Sequence, residues 1–152
     1  MRVIIRAIGK IKGDPLEGAL LTYQKRLRWE VSMQEGEIKQ RLAPAVLQQE
    51  EAKWLLAGLP TGAYVIALDE RGKGLSSPAF SAHLSQKQLE GFSQFVFIIG
   101  GADGLTPEVR GRADLLLSLG AMVWPHKLAR VMLMEQLYRA QQIQVGHPYH
   151  RD

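Results

Sequence analysis

Three short apolar segments constrain the fold of this chain more than any other feature. Residues 63–68, 94–99 and 115–119 each have the length of a strand and consist almost entirely of apolar side chains. A strand with this pattern must be buried on both faces, whereas an alternating strand can leave one face in water. The three segments therefore predict a mostly parallel sheet that is covered by helices on both faces.

Strand and helix patterns alternate along the rest of the chain. In the first helix, Asp14, Pro15 and Glu17 have the spacing of a capping box, and Gly58 is placed to end the second helix in a left-handed conformation. The pattern predicts one α/β domain over residues 1–152. Its further strands are predicted at 2–8 and 29–33, and its helices at 14–28, 44–57, 77–89, from Thr106 and Pro107 onward, and at 126–143.

Each of the three apolar strands leads into a loop that contains glycine. Ligands of parallel sheets bind beyond the carboxyl ends of the strands, and glycine lets the backbone approach them closely. The spacing of Gly100, Gly101 and Gly104 does not match a dinucleotide fingerprint, and the glycines around Lys73 lack the rest of a phosphate loop. The loops therefore either form a cofactor site or are ordinary tight turns.

Composition excludes several classes of protein. The chain has no cysteine, which excludes disulfides, thiolate metal sites and thiol nucleophiles. Pro148 separates His147 from His150, so these two do not share a helical face, and we expect no metal site. No apolar run approaches the ~20 residues that span a bilayer. Arg6 interrupts the segment that would form a signal peptide, so we expect a cytoplasmic protein with no membrane contact.

Two regions carry side chains suited to catalysis. Glu135 lies in the last predicted helix with Arg130 and Arg139 nearby, so it is either part of a buried ion pair or a catalytic group. His126 is expected to be structural or capping, and nothing distinguishes His83. The ending GHPYHRD combines two imidazoles, a phenol and a guanidinium, and is either a docked terminus or a functional tail.

Four segments together resemble one family. They are ALDERGK (67–73), FIIGGADGL (97–105), LLLSLGAMVWPHKLARVMLMEQLYRA (115–140) and HPYHR (147–151). The chain is similar along its whole length to the RlmH family of SPOUT-class methyltransferases, which act on bacterial large-subunit rRNA. The resemblance implies a parallel-sheet α/β domain with a deep C-terminal trefoil knot, and a homodimer in which the tail of one subunit completes the site of the other.

The resemblance also implies S-adenosylmethionine as the cofactor and N3 of a pseudouridine at the ribosomal subunit interface as the methylated atom. Loss of the N3 proton requires a base or electrostatic help. The resemblance points to Tyr149, His150 and Arg151 for this task, with Glu135 orienting one of them. Trp124 is bulkier than the usual family residue. The implied cofactor contacts are Leu68, Gly100, Leu119, Gly120, Ala121, Met122, Val123 and Trp124.

Charge is distributed unevenly along the chain. The net charge is +4 in total, and it divides into +4 over residues 1–41, −2 over 42–107 and +2 over 108–152. We expect the basic excess to flank the RNA path, since phosphates bind Lys and Arg. A SPOUT-type tRNA methyltransferase and a non-catalytic ribosome-binding protein are the alternatives to the rRNA enzyme. The residues expected along the RNA path are Arg2, Arg6, Lys10, Lys12, Arg26 and Arg151.

Overall fold

A five-stranded sheet forms the centre of the computed structural model, which describes residues 1–151. All strand pairs are parallel, and the spatial order is β2-β1-β4-β3-β5. This confirms the predicted α/β class. The strands are β1 (Arg2–Ile8), β2 (Glu30–Gly36), β3 (Tyr64–Gly74), β4 (Gln94–Ile99) and β5 (Leu115–Ser118). The helices are α1 (Glu17–Arg26), α2 (Pro44–Leu56), α3 (Ser77–Leu89), α4 (Pro107–Arg112) and α5 (His126–Gln144).

Helices cover both faces of the sheet, as the apolar strands predict. On one face α1, α3 and α5 pack over a core that includes Phe95 and Phe97. On the other face α2 and α4 pack over residues such as Val96 and Ile98. Neighbouring residues of one strand thus belong to different cores, because successive side chains point to opposite faces. Because both faces of these strands are buried, nearly all of their side chains are apolar.

The starts of two helices follow directly from their sequence. Ser76 Oγ accepts a hydrogen bond from the amide of Ala79 at the start of α3, and Thr106 Oγ1 accepts one from Val109 at the start of α4. Each cap is followed by proline in the first turn of its helix. The predicted left-handed conformation of Gly58 after α2 is also confirmed, with a φ of +73°.

The predicted start of α1, with Asp14 in the N-cap position, is wrong. The helix begins at Glu17, and Leu16 in the N-cap position makes no side-chain capping bond. Asp14 Oδ1 instead accepts a hydrogen bond from the amide of Leu16, two residues later, in a local turn. A short carboxylate can bond its own nearby backbone in this way, and the turn replaces the first helical turn expected from the sequence.

Strand β3 extends further than the sequence indicates. It was expected to end at Leu68, but it continues to Gly74 after a register shift against β5. Leu68 and Lys73 both pair with Leu117, so the residues between them bulge out of the ladder. Gly72 permits the return, because a Cβ there would lie 2.6 Å from the backbone carbonyl carbon of Leu116.

The trefoil knot implied by the resemblance stays a prediction, as does the extent of the single domain. In residues 1–151, no helix has the length and apolar character that crossing a bilayer requires.

Candidate active site

The three glycine-containing loops lie at one edge of the sheet. Strands β4, β3 and β5 are neighbours and parallel, so their carboxyl ends meet. Gly100 is buried directly after β4, and a Cβ there would lie 2.8 Å from Leu105 Cδ2. Leu68 is half-buried at the point where β3 bulges. The topology therefore brings together the loops that the sequence places far apart.

A cleft of about 700 Å³ opens beside the β5 loop. Of the eight predicted cofactor contacts, Leu119 and Gly120 line this cleft. Its other walls come from the start of α3, from α5 and from α1, which the sequence did not indicate. Ser77 Oγ donates a hydrogen bond of 2.7 Å to Gln136 Oε1 across this part of the structure. The lining residues are Tyr23, Gly74, Leu75, Ser76, Ser77, Phe80, Leu117, Ser118, Leu119, Gly120, Val131, Met132, Leu133, Glu135 and Gln136.

The segment after β5 presents apolar side chains to solvent in the protomer. Met122, Val123 and Trp124 are 72%, 80% and 39% exposed, so they do not form a packed apolar wall with Leu68 within one chain. Ala121 is exposed as well. Within the segment, the Trp124 indole donates a hydrogen bond to the carbonyl of Leu119 at 3.2 Å.

The predicted catalytic residues of the tail gather around α5. Tyr149 donates its hydroxyl proton to Glu135 Oε1 at 3.0 Å. The same oxygen accepts from Arg139 Nη2 at 2.8 Å, and Arg139 Nη1 lies 3.0 Å from His150 Nδ1. The structure thus brings Glu135, Tyr149 and His150 together through Arg139. Arg151 is exposed at the end of this cluster.

Arg139 also packs against the aromatic rings of the tail. Its guanidinium carbon lies 4.9 Å from the centroid of the Tyr149 ring. The Tyr149 ring in turn meets Tyr138 edge to face, with centroids 4.7 Å apart. Sequence reasoning gave Arg139 only as an ion-pair partner. Its spacing of four residues from Glu135 on one helix face was the signal that places it in the cluster.

The electrostatics of the cluster keep Tyr149 protonated, and the hydrogen-bond geometry indicates the tautomer of His150. Burial, and then the hydrogen bond to Glu135, raise the pKa of Tyr149 to about 12, so the phenol remains protonated at neutral pH. A guanidinium can only donate, so His150 Nδ1 accepts the bond from Arg139. Neutral His150 therefore carries its proton on Nε2. The Tyr149 phenol is therefore a hydrogen-bond donor to Glu135 and not a base at neutral pH.

The other arginine of the predicted ion pair has a different partner. Arg130 is fully buried and contacts Glu35 Oε2 at 2.5 Å, and its Nη2 donates to the carbonyls of Ile8 and Gly9. Only the Arg139 half of the predicted pairing with Glu135 is confirmed. Arg130 instead fastens α5 to the ends of β1 and β2, where backbone carbonyls need donors.

The histidines outside the tail do not assemble a metal site. His83 Nε2 lies 2.9 Å from the hydroxyl of Tyr64. His126 begins α5 but supplies no capping bond, and its Nδ1 is buried without a partner. Burial and the positive charge of Arg130 lower the pKa of His126. Over the described part of the chain, no three His, Asp or Glu side chains are grouped to hold a metal ion.

Arg6 does not fit the predicted RNA path. It is only 7% exposed, and its guanidinium donates to the carbonyls of Trp54 and Leu55 and to Gln34 Oε1. It also stacks on the Trp54 ring, with 4.1 Å from Cζ to the centroid. The last turn of α2 has unpaired carbonyls, and Arg6 satisfies them from the sheet. Its prediction as an RNA contact is corrected for this reason.

The remaining basic residues of the set are exposed, at different places. Arg2 begins β1 and pairs with Glu30, so it lies at the sheet edge opposite the glycine loops. Lys10 and Lys12 follow the carboxyl end of β1. Arg26 lies over the Tyr23 and Tyr138 rings at 5.7 and 5.9 Å, beside the tail cluster. Lys10 and Lys12 therefore lie at the edge that carries the glycine loops, whereas Arg26, at the end of α1, lies beside the tail cluster together with Arg151.

Comparison with known proteins agrees with the fold. The profile of a family described as "Predicted SPOUT methyltransferase" matches residues 1–150. Two proteins named Ribosomal RNA large subunit methyltransferase H, from Rhodospirillum centenum and Paramagnetospirillum magneticum, are each 48% identical over 151 residues, with 99% of both chains covered. A solved structure of a probable methylase family protein from Haemophilus influenzae shares the fold, with a TM-score of 0.52 and 9% identity over 99% of this chain and 70% of that one. The chain belongs to the SPOUT methyltransferase family and, within it, to the group of ribosomal RNA large subunit methyltransferase H proteins.

Proposed function

We propose that this protein transfers a methyl group from S-adenosylmethionine to N3 of a pseudouridine in large-subunit rRNA. Its relatives at 48% identity carry the name of a large-subunit rRNA methyltransferase. The observation that carries the proposal is the cluster of Glu135, Arg139, Tyr149 and His150 beside a cleft that includes Leu119 and Gly120. Polar side chains of the tail are thereby next to a cavity of ligand size.

The cleft fits a nucleoside cofactor. Ligand pockets commonly enclose ~300–1,000 Å³, with mostly apolar walls and few polar groups. Here Phe80 and Val131 supply apolar surface. Gly120, which also lines the cleft, has a φ of +120°, so the backbone turns at this residue. S-adenosylmethionine would supply an activated methyl group. Leu119 and Gly120 would contact it from the cleft, with Leu68 and Gly100 at the neighbouring strand ends and residues 121–124 alongside.

The donors of the tail suit stabilisation of a deprotonated imide. The base must lose its N3 proton, which leaves negative charge shared between N3 and the flanking carbonyl oxygens. We place His150 beside one of these carbonyl oxygens, and the Arg151 guanidinium as a donor to the other or to a phosphate. Tyr149 and Glu135 position His150 through Arg139. We assign His150 to positioning of the pseudouridine ring. The N3 proton is transferred to a water molecule.

We further propose that residues 1–152 form one domain that works as a homodimer. The exposed apolar side chains at residues 122–124 support an interface there, because contiguous exposed apolar surface is uncommon on monomers. Lys10 and Lys12 at the loop edge, and Arg26 and Arg151 beside the tail cluster, are the exposed basic residues that would contact the RNA backbone.

The test is methyl transfer with radiolabelled cofactor. The purified protein is incubated with ribosomes, with free large subunits and with tRNA from cells that lack the gene, and the labelled nucleoside is identified by mass spectrometry. We expect label in one pseudouridine of the large-subunit rRNA. Label in tRNA would favour the tRNA enzyme, and binding without transfer would favour a non-catalytic ribosome-binding protein.

Variants then test the assigned residues. His150→Ala and Arg151→Ala are expected to lower kcat by a factor of about 10² to 10⁴, the range for lost polar catalysis, with cofactor affinity nearly unchanged. Arg2→Ala is the control, because it lies at the opposite edge of the sheet. Full activity of both tail variants would refute the assignment.

A further inference from the structure

Glu51 is a buried carboxyl group that none of the assigned roles uses. It lies on α2 and is 7% exposed, yet Oε1 has no hydrogen-bond partner. Its neighbour Glu50 on the same helix pairs in the ordinary way with Lys53 at 2.9 Å. Leaving a buried polar atom unpaired costs free energy, so its position requires an explanation.

The carboxyl group lies against the glycine loop that follows β4. A Cβ placed on Gly101 would be 2.8 Å from Glu51 Oε2 and 3.1 Å from Oε1. The Glu51 carboxyl group therefore packs so closely against Gly101 that a residue with a side chain would not fit there. Gly100, which we place in the cofactor site, is the adjacent residue.

A second side chain of α2 holds the other end of the same loop. Gln48, one turn before Glu51, donates from Nε2 to the carbonyl of Asp103 at 2.9 Å and to that of Leu105 at 3.3 Å. Residues three apart lie on one helix face. One face of α2 thus contacts the loop 100–105 at its start through Glu51 and at its end through Gln48.

The surroundings of Glu51 disfavour its charge. Burial, and then the negative charge of Asp103 in the loop, raise the pKa of Glu51. An amide of the same shape would avoid this cost. What Glu51 contributes to the loop is therefore its volume and its contact with Gly101, which an isosteric glutamine preserves.

We propose that Glu51 is a positioning residue that, with Gln48, fixes the loop 100–105 in the conformation required for cofactor binding. The cofactor part rests on the proposed function. The loop part does not, since it concerns the protein without ligand. Glu51 acts through the backbone of Gly101 and contacts no reacting atom.

The first experiment measures the loop directly. Amide hydrogen exchange of peptides that cover residues 100–105 is compared in the ligand-free full-length protein and its variants. We expect Glu51→Ala and Gln48→Ala to speed exchange in this loop by about tenfold or more, while Glu51→Gln and the control Glu50→Ala leave it unchanged. Unchanged exchange in both alanine variants would overturn the proposal.

The second experiment measures cofactor affinity by calorimetry with S-adenosylmethionine. Glu51→Ala is expected to raise Kd and KM for the cofactor about tenfold with kcat at saturation preserved, and Glu51→Gln should restore Kd to within about twofold of the wild type. A general loss of fold would instead lower kcat and the melting temperature. Equal Kd for the wild type and Glu51→Ala would refute the positioning role.

A double-mutant cycle between Glu51 and Gly101 completes the test, and Gln48→Ala still tests the loop contact where Glu51→Ala folds poorly. Gly101→Ala brings a methyl group onto the carboxyl, so we expect faster exchange in the loop and weaker cofactor binding. Adding Glu51→Ala removes the clash and should recover a substantial part of both losses. Additive losses would contradict a direct contact. If the wild type binds no S-adenosylmethionine, the cofactor proposal fails, and the exchange data still decide the role in the loop.

Discussion

Arg6 connects the sheet to the end of α2, and its replacement tests this role against RNA binding. Arg6→Met keeps the aliphatic stem and deletes the guanidinium, which leaves the carbonyls of Trp54 and Leu55 and the side chain of Gln34 without their donor. Hydrogen bonds to a charged donor contribute ~1.5–3 kcal/mol each before non-additivity. The stacking on Trp54 adds ~0.5–2 kcal/mol.

The contributions overlap, because the carbonyls and the ring belong to the same helix end. We therefore expect Arg6→Met to lower the free energy of unfolding by about 2 to 4 kcal/mol. With a urea m-value of about 2 kcal/mol/M, the midpoint falls by about 1 to 2 M. Urea unfolding is followed by tryptophan fluorescence at fixed protein concentration, because a dimer makes stability depend on concentration.

Arg26→Met is the matched control. Arg26 also lies over aromatic rings, but it is exposed, so its loss should cost less than about 1 kcal/mol. In RNA binding the order reverses. Arg26→Met should reduce the salt dependence of the affinity by about one unit of slope, and Arg6→Met should leave it unchanged. An unchanged midpoint with a reduced slope for Arg6→Met would refute the structural role.

Three further predictions concern the strand ladder, the tail and the start of β2. Gly72→Ala forces a methyl group onto the backbone of β5 and should cost about 1–3 kcal/mol in thermal unfolding, whereas Gly74→Ala meets nothing within 4 Å and should be nearly neutral. The pKa of Tyr149 lies above its usual value of 10, at about 12, so the stability it contributes is complete below pH 10 and is lost as the pH rises toward 12. Carbon-13 NMR of labelled tyrosines measures this titration, Glu135→Gln should lower the pKa, and a wild-type titration near pH 10 would contradict the tail contact. Gln141→Ala removes the acceptor of two backbone amides just before β2 and should cost about 2–3 kcal/mol in urea unfolding, with faster exchange of those amides; unchanged exchange would show that they have another partner.

The sequence was sufficient where local patterns control the structure. The double-sided apolar strands required a sheet buried on both faces, and Ser77 with Pro78 and Thr106 with Pro107 placed the starts of α3 and α4. The same reasoning failed at Asp14, because a carboxylate can bond its own nearby backbone in either a cap or a turn. It also failed after Leu68, since the return of β3 to the ladder depends on the backbone of β5 across the sheet.

The candidate site was also predictable only in part from the sequence. The glycine loops and the tail were identified from the sequence, because strand ends and unusual combinations of side chains can be recognised without the tertiary structure. The cleft walls from α1 and α3 were not, and neither was the contact of Glu51 with the loop after β4. These depend on which helices pack over which strand ends, and no local pattern contains that information.

Residue charge illustrates the division most clearly. The sequence by itself determined the class of fold, the positions of the three loops and the excess of basic residues at the two ends of the chain. Only the tertiary structure decided which of those charges serve the fold and which face solvent. Arg6 and Arg130 became structural because helix ends and strand ends leave carbonyls that need donors, and long side chains from the neighbouring element can reach them.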